Sequence, residues 1–328
     1  MRKMVSLFTP CFNEEDNIES LYCEVAKVMD DNKQYDYEYI LIDNASTDNT
    51  VEKIKTIINK DPRVKLIVNE KNFGPGRSGA YGFMQTSGDV SICFAADLQD
   101  PPSLIPVFLK KWEDGAKVVW GKKEGDEETG LIKLCRKVYY KIIQGLSDEE
   151  QYSNVSGFGL YDREVMDLIR EVQDPIPNFR YLIADFGYRV EFVNYKKPNR
   201  VHGKSSYNFW RYYNTAMDSL ISTSTKPLRL ATLIGFMLAL FTFFIGTFYL
   251  IFKLLFWDSF NVGSAPTLIG LFFIGSVLMF LIGLVGEYVG AVLIRVTKRP
   301  LVVERERVNF NTPVNLHKEI NSKGDRLS

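Results

Sequence analysis

Two long uncharged runs constrain this chain more than any other feature. From Leu230 to Phe252 there are 23 residues without one Asp, Glu, Lys or Arg, and a second such run extends from Ala265 to Gly286, where Glu287 interrupts it. Wound as a helix, the first reaches roughly 34 Å, enough to cross a hydrocarbon core of about 30 Å. Core helices of soluble proteins rarely stay apolar around the whole circumference for that length. The runs are therefore read as transmembrane helices over 228–255 and 265–294, with a buried helical hairpin as the competing interpretation. Lys226 and Arg229 precede the first span, and Arg295, Lys298, Arg299, Arg305 and Arg307 follow the second. The connecting segment, 256–264, holds Asp258 and no basic residue. By the positive-inside rule both ends of the hairpin, and so both termini, face the cytoplasm of an integral inner-membrane protein. Gly270, Gly275, Gly283, Gly286 and Gly290 would allow close helix contact and leave room for a homo-oligomer.

The rest of the chain narrows the function classes. Forty Lys and Arg balance forty Asp and Glu over 328 residues, which leaves no excess positive charge for nucleic acid. The four cysteines, Cys11, Cys23, Cys93 and Cys135, form no C-x-x-C pair, so neither a disulfide scaffold nor a zinc module is expected. The apolar run before Pro10 is too short for a signal peptide.

Residues 1–205 read as alternating strands and helices, the pattern of an α/β domain with a doubly wound, mostly parallel sheet. Strands are expected at Val5–Thr9, Tyr37–Ile42, Val64–Val68, Val90–Phe94 and Val118–Trp120, and helices at Glu14–Met29, Val51–Ile58 and Ser78–Gln85. Ligands of such sheets bind beyond the carboxyl ends of the strands. Here those ends read Thr9-Pro-Cys-Phe-Asn-Glu14, Asp43-Asn-Ala-Ser-Thr-Asp48 and Ala95-Ala-Asp-Leu-Gln-Asp-Pro-Pro102.

Asp43 closes an apolar strand, a position suited to a nucleoside's ring nitrogen or ribose hydroxyls, although Asp and Asn also favour turns and helix caps for local reasons. No G-x-G-x-x-G follows the first strand, against a dinucleotide-binding domain. Asp97 and Gln99 would project to one side of an extended segment, and oxygen ligands of this kind suit Mg²⁺ or Mn²⁺ on a substrate phosphate; the competing reading is an ordinary helix start. Asn72-Phe-Gly74 opens a Gly-rich loop before a helix, where free N–H groups attract anions. Arg136 falls on a basic helix, and Arg200, His202, Lys204 and Tyr207 lie just before the first span, close enough to meet a lipid phosphate. The aromatic segment within 206–227 suits a helix in the headgroup layer or a packed core helix.

These motifs, in this order, resemble the membrane-anchored inverting glycosyltransferases of family 2. The likeness is strongest to the polyprenyl-phosphate group, dolichol-phosphate mannose synthases and bactoprenol glucosyltransferases. Its carriers are Pro10-Cys-Phe-Asn-Glu14, Asp43 to Asp48, Asn72-Phe-Gly74, Ala96 to Pro102, Gly157 to Arg163, Gly203 to Tyr207, Lys226 to Thr232 and Gly286 to Gly290. The resemblance implies a GT-A domain holding a nucleotide sugar, UDP-linked, with Pro10 and Phe12 flanking the base. By the same likeness Asn13, Glu14, Asp43 and Gly74 line the nucleotide, Asp97 and Gln99 hold the divalent metal, and Arg136 and Lys204 bind phosphates of donor or lipid acceptor. The segment 295–328 is left as a basic tail.

Three positions depart from that pattern. The family's Asp-Ala-Asp stands here as Ala95-Ala-Asp97, the lysine before Tyr207 is displaced to Lys204, and the acid and arginine of Gly-Asp-Phe-Arg are replaced in Ser156-Gly-Phe-Gly159. Loss of that acid is compatible with catalysis on a phosphate acceptor, which is already anionic at neutral pH. A sugar hydroxyl acceptor would need another base, and a catalytically silent nucleotide-sugar-binding scaffold would need none.

Overall fold

The computed structural model describes residues 2–124, 155–172, 178–196, 198, 226–255, 264–297 and 299–310. Arg136, Lys204, the aromatic segment before Lys226 and the loop 256–263 lie outside the described residues. The chain divides into two compact units. One comprises Met1–Gly125, Tyr152–Lys204 and Arg299–Ser328, and the other Asp126–Gln151 with Ser205–Lys298.

The first unit is built on an eight-stranded sheet. Its strands are β1 (Lys3–Cys11), β2 (Tyr35–Asp43), β3 (Val64–Asn69), β4 (Val90–Cys93), β5 (Val118–Glu124), β6 (Val155–Asp162), β7 (Val190–Lys196) and β8 (Glu304–Val308), in the spatial order β7-β5-β6-β4-β1-β2-β3-β8. The central strands β3, β2, β1 and β4 run parallel, while β6 and β8 join antiparallel. Each expected strand of the first 120 residues is present.

Helices cover both faces because the central strands alternate between two apolar sets. Val5 and Leu7 of β1 and Tyr39 and Leu41 of β2 pack into one core; Phe8, Ile40 and Ile42 pack into the other. Against the first lie α1 (Ile18–Asp31), α2 (Thr50–Ile58) and α4 (Ile105–Glu113). The spacing of Ile18, Leu21, Val25 and Met29 gives α1 one continuous buried stripe. Against the second core lie α3 (Pro75–Met84), α5 (Arg163–Glu171) and α6 (Phe179–Asp185). Helix α3 approaches the sheet so closely that a Cβ on Gly82 would sit 2.5 Å from Phe8 and 2.9 Å from Ile42, well inside van der Waals contact.

The segment after the second apolar run, read from sequence as a basic tail, contributes an element of this sheet. β8 caps the β3 edge, and its flanks are tied down: Arg77 donates to the carbonyls of Leu301 (2.9 Å) and Pro300 (2.8 Å), and Asn309 to those of Pro62 and Val64, both at 2.7 Å.

The second unit contains two long helices, α7 (Lys226–Leu255) and α8 (Ser264–Val296). Among the described residues one stretch is long and apolar enough to cross a membrane, Phe273–Ile294, with mean hydropathy 2.3; in α7 the corresponding described stretch is the shorter Ala231–Thr242. Large apolar side chains along both helices stand exposed, among them Phe241, Phe248, Met279 and Phe280.

Candidate active site

The chain winds β1 to β2 to β3 in one direction and then places β4 on the other side of β1. That reversal opens a crevice beyond the carboxyl ends of β1 and β4, the place where open α/β sheets bind ligands. The segments bordering it are those singled out from sequence: 10–14 after β1, 43–48 after β2 and 94–100 after β4.

Each of these three segments holds one non-glycine residue with positive φ: Asn13 at 56°, Ala45 at 63° and Leu98 at 59°. Left-handed geometry costs about 1–2 kcal/mol at a residue with a Cβ, so local hydrogen bonds must hold it. Asn13 accepts from the Thr47 amide (2.9 Å) through Oδ1 and donates its own amide to the Ser46 hydroxyl (2.9 Å). The Ser46 amide and hydroxyl both donate to Asp43. The first two segments are thus one hydrogen-bonded unit. Glu14 joins it through its amide to Thr50 Oγ1 (2.9 Å) and its carboxylate to Asn17 (2.7 Å).

Asp43 has no exposed surface. Burial raises its pKa, opposed by the Ser46 hydrogen bonds and by the charge of Arg305. Its carboxylate is therefore a strut for the Ala45 turn, and the neighbours it shapes make the surface. Asp48 is held below the usual carboxylate range: burial raises it, but bonds from the Thr50 hydroxyl and amide more than offset that. Phe12, by contrast, is 45% exposed at the end of β1. Beside β3, Asn44 gathers the Gly-rich loop: its Oδ1 accepts from the Phe73 amide (3.0 Å) and its Nδ2 donates to Asn72, which caps the Gly74 amide at 2.8 Å. Gly74 itself sits at φ 84° immediately before α3, a conformation that favours glycine.

Asp97 and Gln99 do not share an extended strand. Asp97 Oδ1 accepts the Gln99 amide at 3.2 Å, and Leu98 between them is left-handed, so the segment is a turn and the same-side projection expected for a strand does not apply. Both side chains remain partly exposed at the crevice. No group of three or more His, Cys, Asp or Glu able to hold a metal occurs among the described residues. One carboxylate and one amide oxygen nevertheless form a donor set of the kind a divalent cation uses when substrate phosphates complete its shell.

Sequence reasoning missed Asp100 as the anchor of this turn. It is 4% exposed, accepts from the Ala95 amide (3.2 Å) and receives the Tyr195 hydroxyl at 2.7 Å. Its signal was the Asp-x-x-Asp spacing; the distant partner on β7 had none. The replaced acid has a structural reason as well: Gly157 lies in β6 at φ 91°, backbone that an aspartate would enter only under strain.

Residues 6–169 match the family model "Glycosyl transferase family 2", and residues 226–292 match "GtrB C-terminal hairpin". An uncharacterized glycosyltransferase of Synechocystis sp. is 30% identical, covering 90% of this chain and 93% of its own. A prophage-derived bactoprenol glucosyl transferase of Shigella flexneri is 32% identical, covering 90% and 96%. Among solved structures, a mannosyltransferase of Pyrobaculum calidifontis in complex with GDP-Man and Mn²⁺ covers 88% of each chain with a TM-score of 0.43 at 14% identity. The chain belongs to glycosyl transferase family 2, a glycosyltransferase with a GT-A catalytic domain and a GtrB-type C-terminal hairpin.

Proposed function

We propose that the protein transfers a single sugar, with inversion, from a UDP-linked donor to polyprenyl phosphate at the cytoplasmic membrane face, as a step in modifying a cell-surface glycan. The observation that carries this reading is the match to a bactoprenol glucosyl transferase over 90% of the chain, through the catalytic domain and the hairpin alike.

The chemistry asks little of a general base. A phosphate monoester has a second pKa near 6 and presents an anionic oxygen at neutral pH. That oxygen attacks the anomeric carbon from the face opposite the leaving group; the new C–O bond forms as the bond to the nucleoside diphosphate breaks, and the electron pair departs with the diphosphate. The glycine at 157 is consistent with such an acceptor. Pro10, the exposed Phe12, Asn13, Glu14 and Gly74 line the nucleotide, with Asp43 shaping that wall through Ser46. Asp97 and Gln99 would hold Mg²⁺ or Mn²⁺, which when bound neutralises charge developing on the departing diphosphate. Arg136 and Lys204 supply further positive charge to donor or acceptor phosphates, and positioning does the remainder.

We read 228–255 and 265–294 as the two membrane spans, joined outside by 256–264, with 206–227 at the interface. Apolar side chains exposed along both helices support a lipid surround, since soluble surfaces rarely leave patches of that extent bare. Cysteines introduced in 256–264 should react only with reagent added from outside the cell.

The deciding experiment incubates the purified full-length protein with polyprenyl phosphate and a panel of radiolabelled nucleotide sugars, with and without Mn²⁺. A labelled lipid with a monophosphate link is expected, formed best from a UDP-sugar. Absence of labelled lipid with every donor would leave a silent scaffold; a diphosphate link would overturn the phosphate-as-nucleophile mechanism.

A further inference from the structure

Strand β8 lies beyond the residues matched by either family model, yet it borders the candidate donor site. Its register with β3 shifts between Val68 and Asn69: Glu306 pairs with Val68 and Glu304 with Asn69, which leaves Arg305 as the extra residue of a bulge. Bulges of this kind re-aim a side chain and concentrate beside active sites. Val68 is also the register partner of Asp43. Arg305 therefore stands at the level of Asp43, two strand spacings or roughly 10 Å across the sheet. Its side chain is exposed, and its positive charge reaches Asp43, whose carboxyl it pulls downward.

The neighbouring cations of this corner are occupied. Arg307 is bonded to Glu304 and Gln85, Arg77 to two carbonyls, and Lys55 to Glu306 at 2.9 Å. Arg305 has no hydrogen-bond or ion-pair partner among the described residues. It is a donor-only guanidinium left open at the rim of a nucleotide crevice.

We propose that Arg305 reads the nucleobase of the donor, donating to the carbonyl at the 4-position of the ring, so that a uracil-type edge is accepted and a cytosine-type edge, with an amine there, is refused. This rests on the nucleotide-sugar reading above. The strand order argues for base over phosphate. With the diphosphate at Asp97 beyond β4, Arg305 is four strand spacings away, roughly 19 Å, outside the reach of an arginine side chain. The base, at the other end of the nucleotide, extends toward β2 and β3. Uracil and cytosine differ at the 4-position, a carbonyl acceptor in the first and an amine donor in the second, and at N3, which is protonated only in uracil; at the 4-position a guanidinium finds an acceptor only in uracil.

Titration of the full-length protein with UDP and CDP tests this. Wild type should bind UDP at least about tenfold more tightly than CDP, and Arg305→Ala should weaken UDP about tenfold while changing CDP less than about twofold. Arg305→Lys, which keeps a positively charged donor without the planar fork, should restore part of the preference. Equal weakening of both nucleotides, or an unchanged UDP/CDP ratio, would overturn the proposal, as would a wild type indifferent to the base. Thermal midpoints of the variants separate base reading from loss of fold. A wild type that binds neither nucleotide would instead mark failure of the donor reading itself, and Arg305 would fall with it.

Discussion

The Tyr195 hydroxyl donates to Asp100 Oδ1 at 2.7 Å, joining β7 to the turn after β4 across 95 residues of sequence. Both groups are buried, and through Asp100 the bond reaches the Ala95 amide and hence the turn that presents Asp97. The far side of the sheet thereby fixes the segment assigned to the metal.

Tyr195→Phe should accordingly cost about 1–3 kcal/mol, the range for removing one donor from a buried charged acceptor. Denaturant unfolding measures that cost. Sugar transfer should fall with it at a fixed Mn²⁺ concentration and partly recover as the metal is raised.

Asp97→Asn preserves the acceptor for the Gln99 amide, so the thermal midpoint should stay within about 1 °C of wild type, as for a solvent-reachable site with its turn intact. Transfer should drop at least about 100-fold, the scale of losing one transition-state charge contact. Intact turnover in the lipid assay would remove Asp97 from the metal site.

Glu38, 4% exposed, sits at the opposite end of the strands from the crevice. Burial pushes its pKa up, but bonds from Lys65 at 2.6 Å, Ser6 and the Ser87 amide outweigh this and hold it below the usual value. A carboxyl with a depressed folded pKa stabilises fully above its unfolded value of about 4.3 and loses that contribution as pH falls through the folded value. Urea midpoints should thus decline below about pH 4. Glu38→Gln should lower stability at pH 7 by about 3 kcal/mol and flatten that acid limb.

Ala45→Gly addresses the strained turn directly. Relief of left-handed strain, about 1–2 kcal/mol, exceeds the added entropy of the unfolded chain, about 0.4–1 kcal/mol. A net gain of about 0.5–1 kcal/mol is expected by calorimetry. A loss would mean the Ser46–Asp43 bonds need the alanine's restricted backbone.

The sequence by itself determined the parallel heart of the sheet and the edge that carries the polar segments. Short, nearly continuous apolar runs such as Val5–Thr9 and Tyr37–Ile42, bounded by turn residues, leave a strand little choice, and Asp, Asn and Pro clusters must then fall at their ends. The two apolar helices were equally plain, because a long uncharged run has few alternatives. The tertiary structure decided what depends on long-range pairing. It took Glu304–Val308, a strongly charged segment with no strand signature, into the sheet, because β3 offers an open row of hydrogen-bonding groups at its edge. It buried Asp43, whose place at the end of an apolar strand suggested that it would face a ligand, under Ser46, since a carboxylate closing a tight turn is best satisfied by that turn's own donors. It also bent Asp97 and Gln99 into a turn and joined Tyr195 to Asp100, contacts between segments whose spacing along the chain carries no trace of their meeting.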